Sequence, residues 1–129
     1  MPASELNRIF YAEDDEDIQR IVRMSLERIG KMTVQVESDP LKAIDGMIEF
    51  KPELVMLDWM MPGMDGPTLL KAMRQRPETA SYPVVFITAK ASMKEHEELA
   101  ALGAAGIISK PFSPKDLPNQ LREIWRNLP

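Results

Sequence analysis

The chain has 129 residues, with 16 lysines and arginines against 20 acids and no cysteine. That length suits one domain able to bury about two-thirds of its unfolded surface, and the lack of cysteine excludes a disulfide framework, a Cys-ligated zinc site and thiol catalysis. A formal charge of -4 offers no basic face for phosphate backbones, so no nucleic-acid partner is expected.

The start of the chain, 1–8, lacks the apolar stretch of a signal peptide, and apolar runs such as 84–87 are far short of a membrane span. The expectation is a cytoplasmic protein with no membrane partner, forming a single domain over 1–129 with its core at 8–127. A first strand is read at Ile9-Phe10-Tyr11-Ala12. Asp15 then caps a helix whose apolar residues Ile18, Ile21, Val22, Leu26 and Ile29 follow helical spacing until Gly30 stops it. Thr33 to Glu37 alternates apolar and polar residues, the mark of a strand with one wet face and hence of a sheet edge. Asp39-Pro40 opens a second helix bearing Leu41, Ile44, Met47 and Ile48.

Strand three runs from Glu53 to Asp58, and a loop with two glycines and Pro62 leads to a short helix with Pro67 near its start and Leu69, Leu70 and Met73 inward. After Tyr82-Pro83 comes strand four, Val84 to Thr88. Ser92 with Glu95 has the form of a capping box opening a helix that Gly103 closes. Strand five is Gly106 to Ser109. The last helix carries Leu117, Leu121, Ile124, Trp125 and Leu128, with Pro118 suited to its first turn.

Five β-α units, four of them with continuous apolar strands, make an α/β fold, a doubly wound five-stranded parallel sheet. Right-handed crossovers and strand two at an edge give the order 2-1-3-4-5, in which ligands sit beyond the carboxyl ends of strands one and three. Four strands end there on loaded residues: Glu13-Asp14, Asp58, Thr88 and Lys110-Pro111. Three carboxylates at one crevice repel one another unless a cation joins them, and all-oxygen ligation suits a hard divalent ion such as magnesium, with manganese as a substitute. A hydroxyl at Thr88 and an ammonium at Lys110 complete a seat for a phosphoryl group on a carboxylate.

Taken singly, each residue has an ordinary reading. Acids 13–17 suit a solvated helix start, which stays the reading for Glu16 and Asp17; Asp58 suits a turn, Thr88 a strand and Lys110 a surface. The ordered set is far more specific. The acid pair, the stretch from Leu57-Asp58-Trp59-Met60 to Asp65-Gly66, Ile87-Thr88-Ala89 and Lys110-Pro111-Phe112 together resemble the receiver domain of two-component response regulators, of the single-domain chemotaxis (CheY-like) type, from Arg8 to about Trp125.

That resemblance implies a flavodoxin-like (βα)5 fold, an order also found in chemotaxis receivers, with no output domain. It implies Asp58 as phosphoacceptor from a sensor histidine kinase, a histidine phosphotransfer protein or a small phosphodonor, and an unidentified downstream protein as partner. Asp14 would bind magnesium directly, Glu13 through water, with Asp58 and the Met60 backbone carbonyl completing the ligands; Thr88 would hydrogen-bond the phosphoryl group and Lys110 would pair with it. Pro111 would follow a cis bond. Catalysis would be limited to the domain's own phosphorylation and dephosphorylation.

Departures from the family pattern bear on mechanism. Ile107 stands where receivers commonly carry an aromatic switch residue, so a tyrosine-type switch is absent. Met60 and Lys90, two residues beyond Asp58 and Thr88, flank the path of water in receivers, and Met60 offers it no proton donor or acceptor. The alternative is a degenerate receiver serving as a constitutive protein-binding module or a phosphate sink, against which the full acid, Thr88 and Lys110 set argues. An aspartyl-phosphate phosphatase would want a second aspartate where Met60 stands, and a flavin site would want hydroxyls and glycines in place of Glu13-Asp14. His96 and the methionines read as solvated and packing residues, while Trp59 is left between packing and covering the site.

Overall fold

The computed structural model describes residues 5–89 and 92–129; the expectations placed on the first four residues and on Lys90 lie outside them. The strands are β1 (Arg8–Ala12), β2 (Thr33–Glu37), β3 (Leu54–Asp58), β4 (Val84–Thr88) and β5 (Gly106–Ser109). They form one parallel sheet in the order β2-β1-β3-β4-β5, as the strand patterns predict. The helices are α1 (Glu16–Arg23), α2 (Pro40–Phe50), α3 (Gly66–Arg74), α4 (Met93–Ala101) and α5 (Leu117–Arg126). No helix among the described residues is long and apolar enough to cross a membrane.

Each helix start has a local cause. The Asp15 carboxylate accepts from the amides of Asp17 and Ile18, Asp39 from that of Leu41, Asp65 from that of Thr68, and the Ser92 hydroxyl from that of Glu95. These bonds satisfy amides that an α-helix leaves without partners at its start. Pro118 does sit in the first turn of α5.

The sheet is covered on both faces. On one, Ile9, Tyr11, Met56, Val85, Ile87 and Ile108 pack against Val22, Leu26, Leu117 and Leu121. On the other, Phe10, Val55, Leu57 and Phe86 pack against Ala43, Met47, Leu69, Leu70, Met73 and Leu99. Alternate residues of one strand feed opposite cores, which is why these strands are apolar throughout. Edge strand β2 has the half-exposed pattern expected of it.

Two helical faces differ from the sequence reading. α1 passes into a π-helical segment, Met24–Ile29, in which the Gly30 amide bonds to the carbonyl of Ser25 five residues back. The wider turn carries the buried face onto Ser25 and Leu26 and leaves Ile29 47% exposed. Ile21 is likewise exposed. The Ser25 hydroxyl bonds to the carbonyl of Pro114, and a Cβ at Gly30 would stand 2.9 Å from both the Leu26 carbonyl and Pro118, so this end of the helix is pressed onto α5. In α2 the buried stripe runs through Pro40, Ala43 and Met47, so Leu41 is 69% exposed and not a core residue.

Candidate functional site

The register of the sheet assembles the site. Ala12, Leu57, Phe86 and Ile107 lie side by side in one row. One residue further on, Asp58 faces Ile87, which faces Ile108, and the chain after Ala12 continues at Glu13 on the same level. Beyond that, Thr88 faces Ser109. Side chains leaving the ends of β1, β3, β4 and β5 therefore share one rim, the position where open parallel sheets bind ligands.

Glu13 and Asp58 are buried, 1% and 6% exposed, while Asp14 is exposed. One carboxylate oxygen from each of the three lies within 4.8 Å of the others. Lys110 spans the buried pair, its Nζ 3.1 Å from Asp58 Oδ1 and 3.3 Å from Glu13 Oε1. The Lys110 amide is held by the Thr88 carbonyl at 2.8 Å, and Thr88 itself is buried. The Lys110-Pro111 bond is cis, as the resemblance implies.

The electrostatics follow from burial. Loss of water pushes the Glu13 carboxyl above the usual carboxylate range, with Asp58 adding to the rise and the Tyr11 hydrogen bond and Lys110 opposing it. Asp14 is raised too, by desolvation first and by neighbouring Glu13. For Lys110 burial disfavours the charge, but the bonds and charges of Asp58 and Glu13 outweigh it and hold the ammonium above an ordinary lysine. Among the described residues, Lys110 is thus kept charged at the site while Glu13 and Asp14 resist ionisation. A hard divalent ion fits this set of three carboxyl oxygens, and its charge would favour their ionised forms.

The loop after β3 folds back tightly. The Gly66 amide bonds to the Trp59 carbonyl at 2.8 Å, and a Cβ at Gly66 would stand 2.5 Å from the Asp58 carbonyl and 2.6 Å from the Phe86 ring. Only glycine lets α3 begin so close to Asp58. Trp59 is half-buried and packs on Phe86, ring centroids 6.4 Å apart, which decides its place in favour of packing. Met60 is 61% exposed at the rim.

Ile107 is half-buried and lines, with Met93, His96, Glu97, Ala100 and Ala104, a groove of about 430 Å³ between α4 and β5. A second groove of about 550 Å³ borders the site itself, walled by Ile18, Ile21, Ala89, Lys110, Phe112 and Pro114.

One participant is absent from the sequence reading. Tyr11, counted there as an apolar strand residue, is fully buried and donates from its hydroxyl to Glu13 Oε1 at 2.7 Å. Burial, then the Glu13 charge, raises its phenol far above the ordinary tyrosine range. The signal was available: residues two apart on a strand share a face, so a tyrosine two positions before a strand-end acid can reach it.

Comparison with known proteins agrees with the geometry. Residues 9–122 match the family model described as the response regulator receiver domain. Chemotaxis protein CheY-3 of Vibrio cholerae is 35% identical over 121 residues, covering 94% of this chain and 93% of that protein. The phosphate regulon transcriptional regulatory protein PhoB of Klebsiella pneumoniae is 34% identical over 121 residues, and the chain spans about half of its length, 52%. Among solved structures, the BeF3-activated N-terminal receiver domain of Klebsiella pneumoniae RstA superposes with a TM-score of 0.83 at 32% identity, covering 94% of this chain and all of that one. Fold, rim chemistry and family match converge, and the chain belongs to the response regulator receiver domains of two-component signalling.

Proposed function

We propose that the protein is a phosphorylation-dependent switch in which Asp58 accepts a phosphoryl group, in a magnesium-dependent reaction, from a phosphohistidine of a sensor kinase or phosphotransfer protein. The observation that carries this reading is Lys110 Nζ bridging buried Asp58 and Glu13, with Asp14 in the same carboxylate cluster. Asp14 and Asp58 would hold the metal directly, with the Met60 carbonyl, and Glu13 through water. When bound, the ion supplies positive charge for the phosphoryl oxygens.

An Asp58 oxygen attacks phosphorus, the bond to the donor's leaving nitrogen breaks, and the electron pair departs with the imidazole. Lys110 then pairs with the new phosphoryl charge, and Thr88 supplies a hydroxyl to it. The apolar groove walled by Ile18, Ile21 and Phe112 gives a donor protein a contact surface beside the acceptor. With isoleucine at 107, the conformational response runs through Thr88 and the groove beneath α4 without an aromatic switch.

The test is incubation with magnesium and a small phosphodonor, followed by intact mass. One phosphoryl adduct on the wild type, lost in Asp58→Asn, is expected. No adduct on a folded wild type would leave a constitutive binding module in its place.

A further inference from the structure

Among the described residues Glu13 Oε1 has two partners, the Tyr11 hydroxyl at 2.7 Å and the Lys110 ammonium at 3.3 Å. They differ in freedom. Tyr11 sits inside β1, fully buried in the core under α1 and α5, and has nowhere else to go. Lys110 follows β5, is 19% exposed, and already shares itself with Asp58. A cation entering among Glu13, Asp14 and Asp58, or a phosphoryl group on Asp58, draws or drives the ammonium off Glu13. The oxygen it leaves is buried, and a buried carboxylate oxygen without a donor is costly.

We propose that Tyr11 is a positioning residue of the site: its hydroxyl stays on Glu13 Oε1 when an incoming cation drives Lys110 off, or an incoming phosphoryl group draws it off, so the exchange leaves no bare carboxylate oxygen and Glu13 keeps its place. This rests on the phosphoacceptor reading for the phosphoryl ligand, but the metal arm stands apart from it. Among the described residues the other Glu13 oxygen accepts only a long bond, 3.3 Å, from the Asp15 amide, so the carboxylate's orientation depends chiefly on Oε1. The inference concerns a hydrogen bond's geometry. It requires no change in the charge of either residue.

Tyr11→Phe keeps the ring and deletes only the donor. Without it, Lys110 is the partner left to Glu13 Oε1 among the described residues, and it competes with the metal for the acids. The expected result is magnesium affinity weakened about tenfold by calorimetry, the lower end of what outer hydrogen-bond partners of metal ligands contribute. Adduct formation from a small phosphodonor should slow at subsaturating magnesium. A double-mutant cycle separates this from a packing role: in the Glu13→Ala background, Tyr11→Phe should change magnesium affinity by less than about twofold, because a partner acting only through Glu13 has nothing left to act on.

Unchanged affinity in Tyr11→Phe, or an equal loss with and without Glu13, overturns the proposal. A wild type that binds magnesium but takes up no phosphoryl group sinks the phosphoacceptor reading instead. In that case the metal cycle still decides for or against Tyr11.

Discussion

Replacing Lys110 by methionine keeps most of the stem and removes the ammonium that stands 3.1 Å from Asp58 and 3.3 Å from Glu13. Without metal, two buried carboxylates then face each other beside Asp14 with no cation bonded to them among the described residues. Removing one partner of a fully buried pair costs about 3–5 kcal/mol. Partial exposure of Lys110 lowers that figure and the loss at two acids raises it, while Tyr11 still serves Glu13. A destabilisation of about 3 kcal/mol at neutral pH results, below the sum of two buried pairs and above the roughly 0–1 kcal/mol of an exposed pair.

With a urea slope of about 2 kcal/mol per molar, that is a midpoint lowered by roughly 1.5 M. The assay is urea unfolding followed by far-ultraviolet circular dichroism in the presence of a chelator, repeated with millimolar magnesium. Magnesium should close much of the gap between the variants, because binding to the folded state stabilises it and the added cation replaces the missing charge. A midpoint shift under about 0.5 M with chelator present would mean that water reaches the acids, and that Lys110 contributes no more than a surface lysine.

Three further outcomes follow from the same geometry. Glu13 has its carboxyl raised in the folded state by burial, so its contribution to stability is complete below the ordinary carboxylate pKa of about 4.3 and is lost as pH rises through the raised value. Metal-free wild type should therefore lose stability relative to Glu13→Gln as pH rises above the ordinary carboxylate pKa of about 4.3, and a flat or opposite difference in urea midpoints would refute the burial argument. Trp59, held on Phe86 directly after Asp58, should change fluorescence on magnesium addition. Asp14→Ala should abolish most of that change, and Trp59→Phe checks that Trp125 is silent; a full response in Asp14→Ala removes it from the ligand set. Met60→Asn, which gives attacking water a polar neighbour at an exposed rim position, should speed loss of the adduct by about tenfold, short of full acid–base catalysis. Decay no faster than wild type would show that this residue does not limit water attack.

The fold was legible where one periodicity dominated. β1, β3 and β4 are buried on both faces, so their apolar runs read without ambiguity, and the alternation of Thr33 to Glu37 marked the edge. What the pattern did not disclose was helix phase. Leu41 has the right spacing for the α2 stripe, yet the stripe is centred on Ala43 and Met47, where a small residue admits the sheet; an apolar side chain one position off that line points to water. The π-helical segment was hidden for a related reason. It coincides with the docking of Ser25 on Pro114 and the close approach of Gly30 to Pro118, partners nearly ninety positions apart that no local window contains.

The site divides along the same line. Strand ends placed Glu13, Asp58, Thr88 and Lys110 on one rim because parallel register makes every carboxyl end coincide, so residue type and strand boundary were enough. What a list of residue types could not give is the sharing of one ammonium between two buried acids, or the neutral donor beneath them. A lysine that serves Asp58 and Glu13 at once is held by both and committed to neither, and each bond, at 3.1 and 3.3 Å, is longer than the 2.7 Å tyrosine bond below. A cation so divided can be redirected by one new negative charge without unfolding anything, provided the acid it leaves keeps another partner. In this chain that condition falls to Tyr11, a strand residue whose hydroxyl is its only polar feature and whose aromatic body is otherwise indistinguishable from core packing.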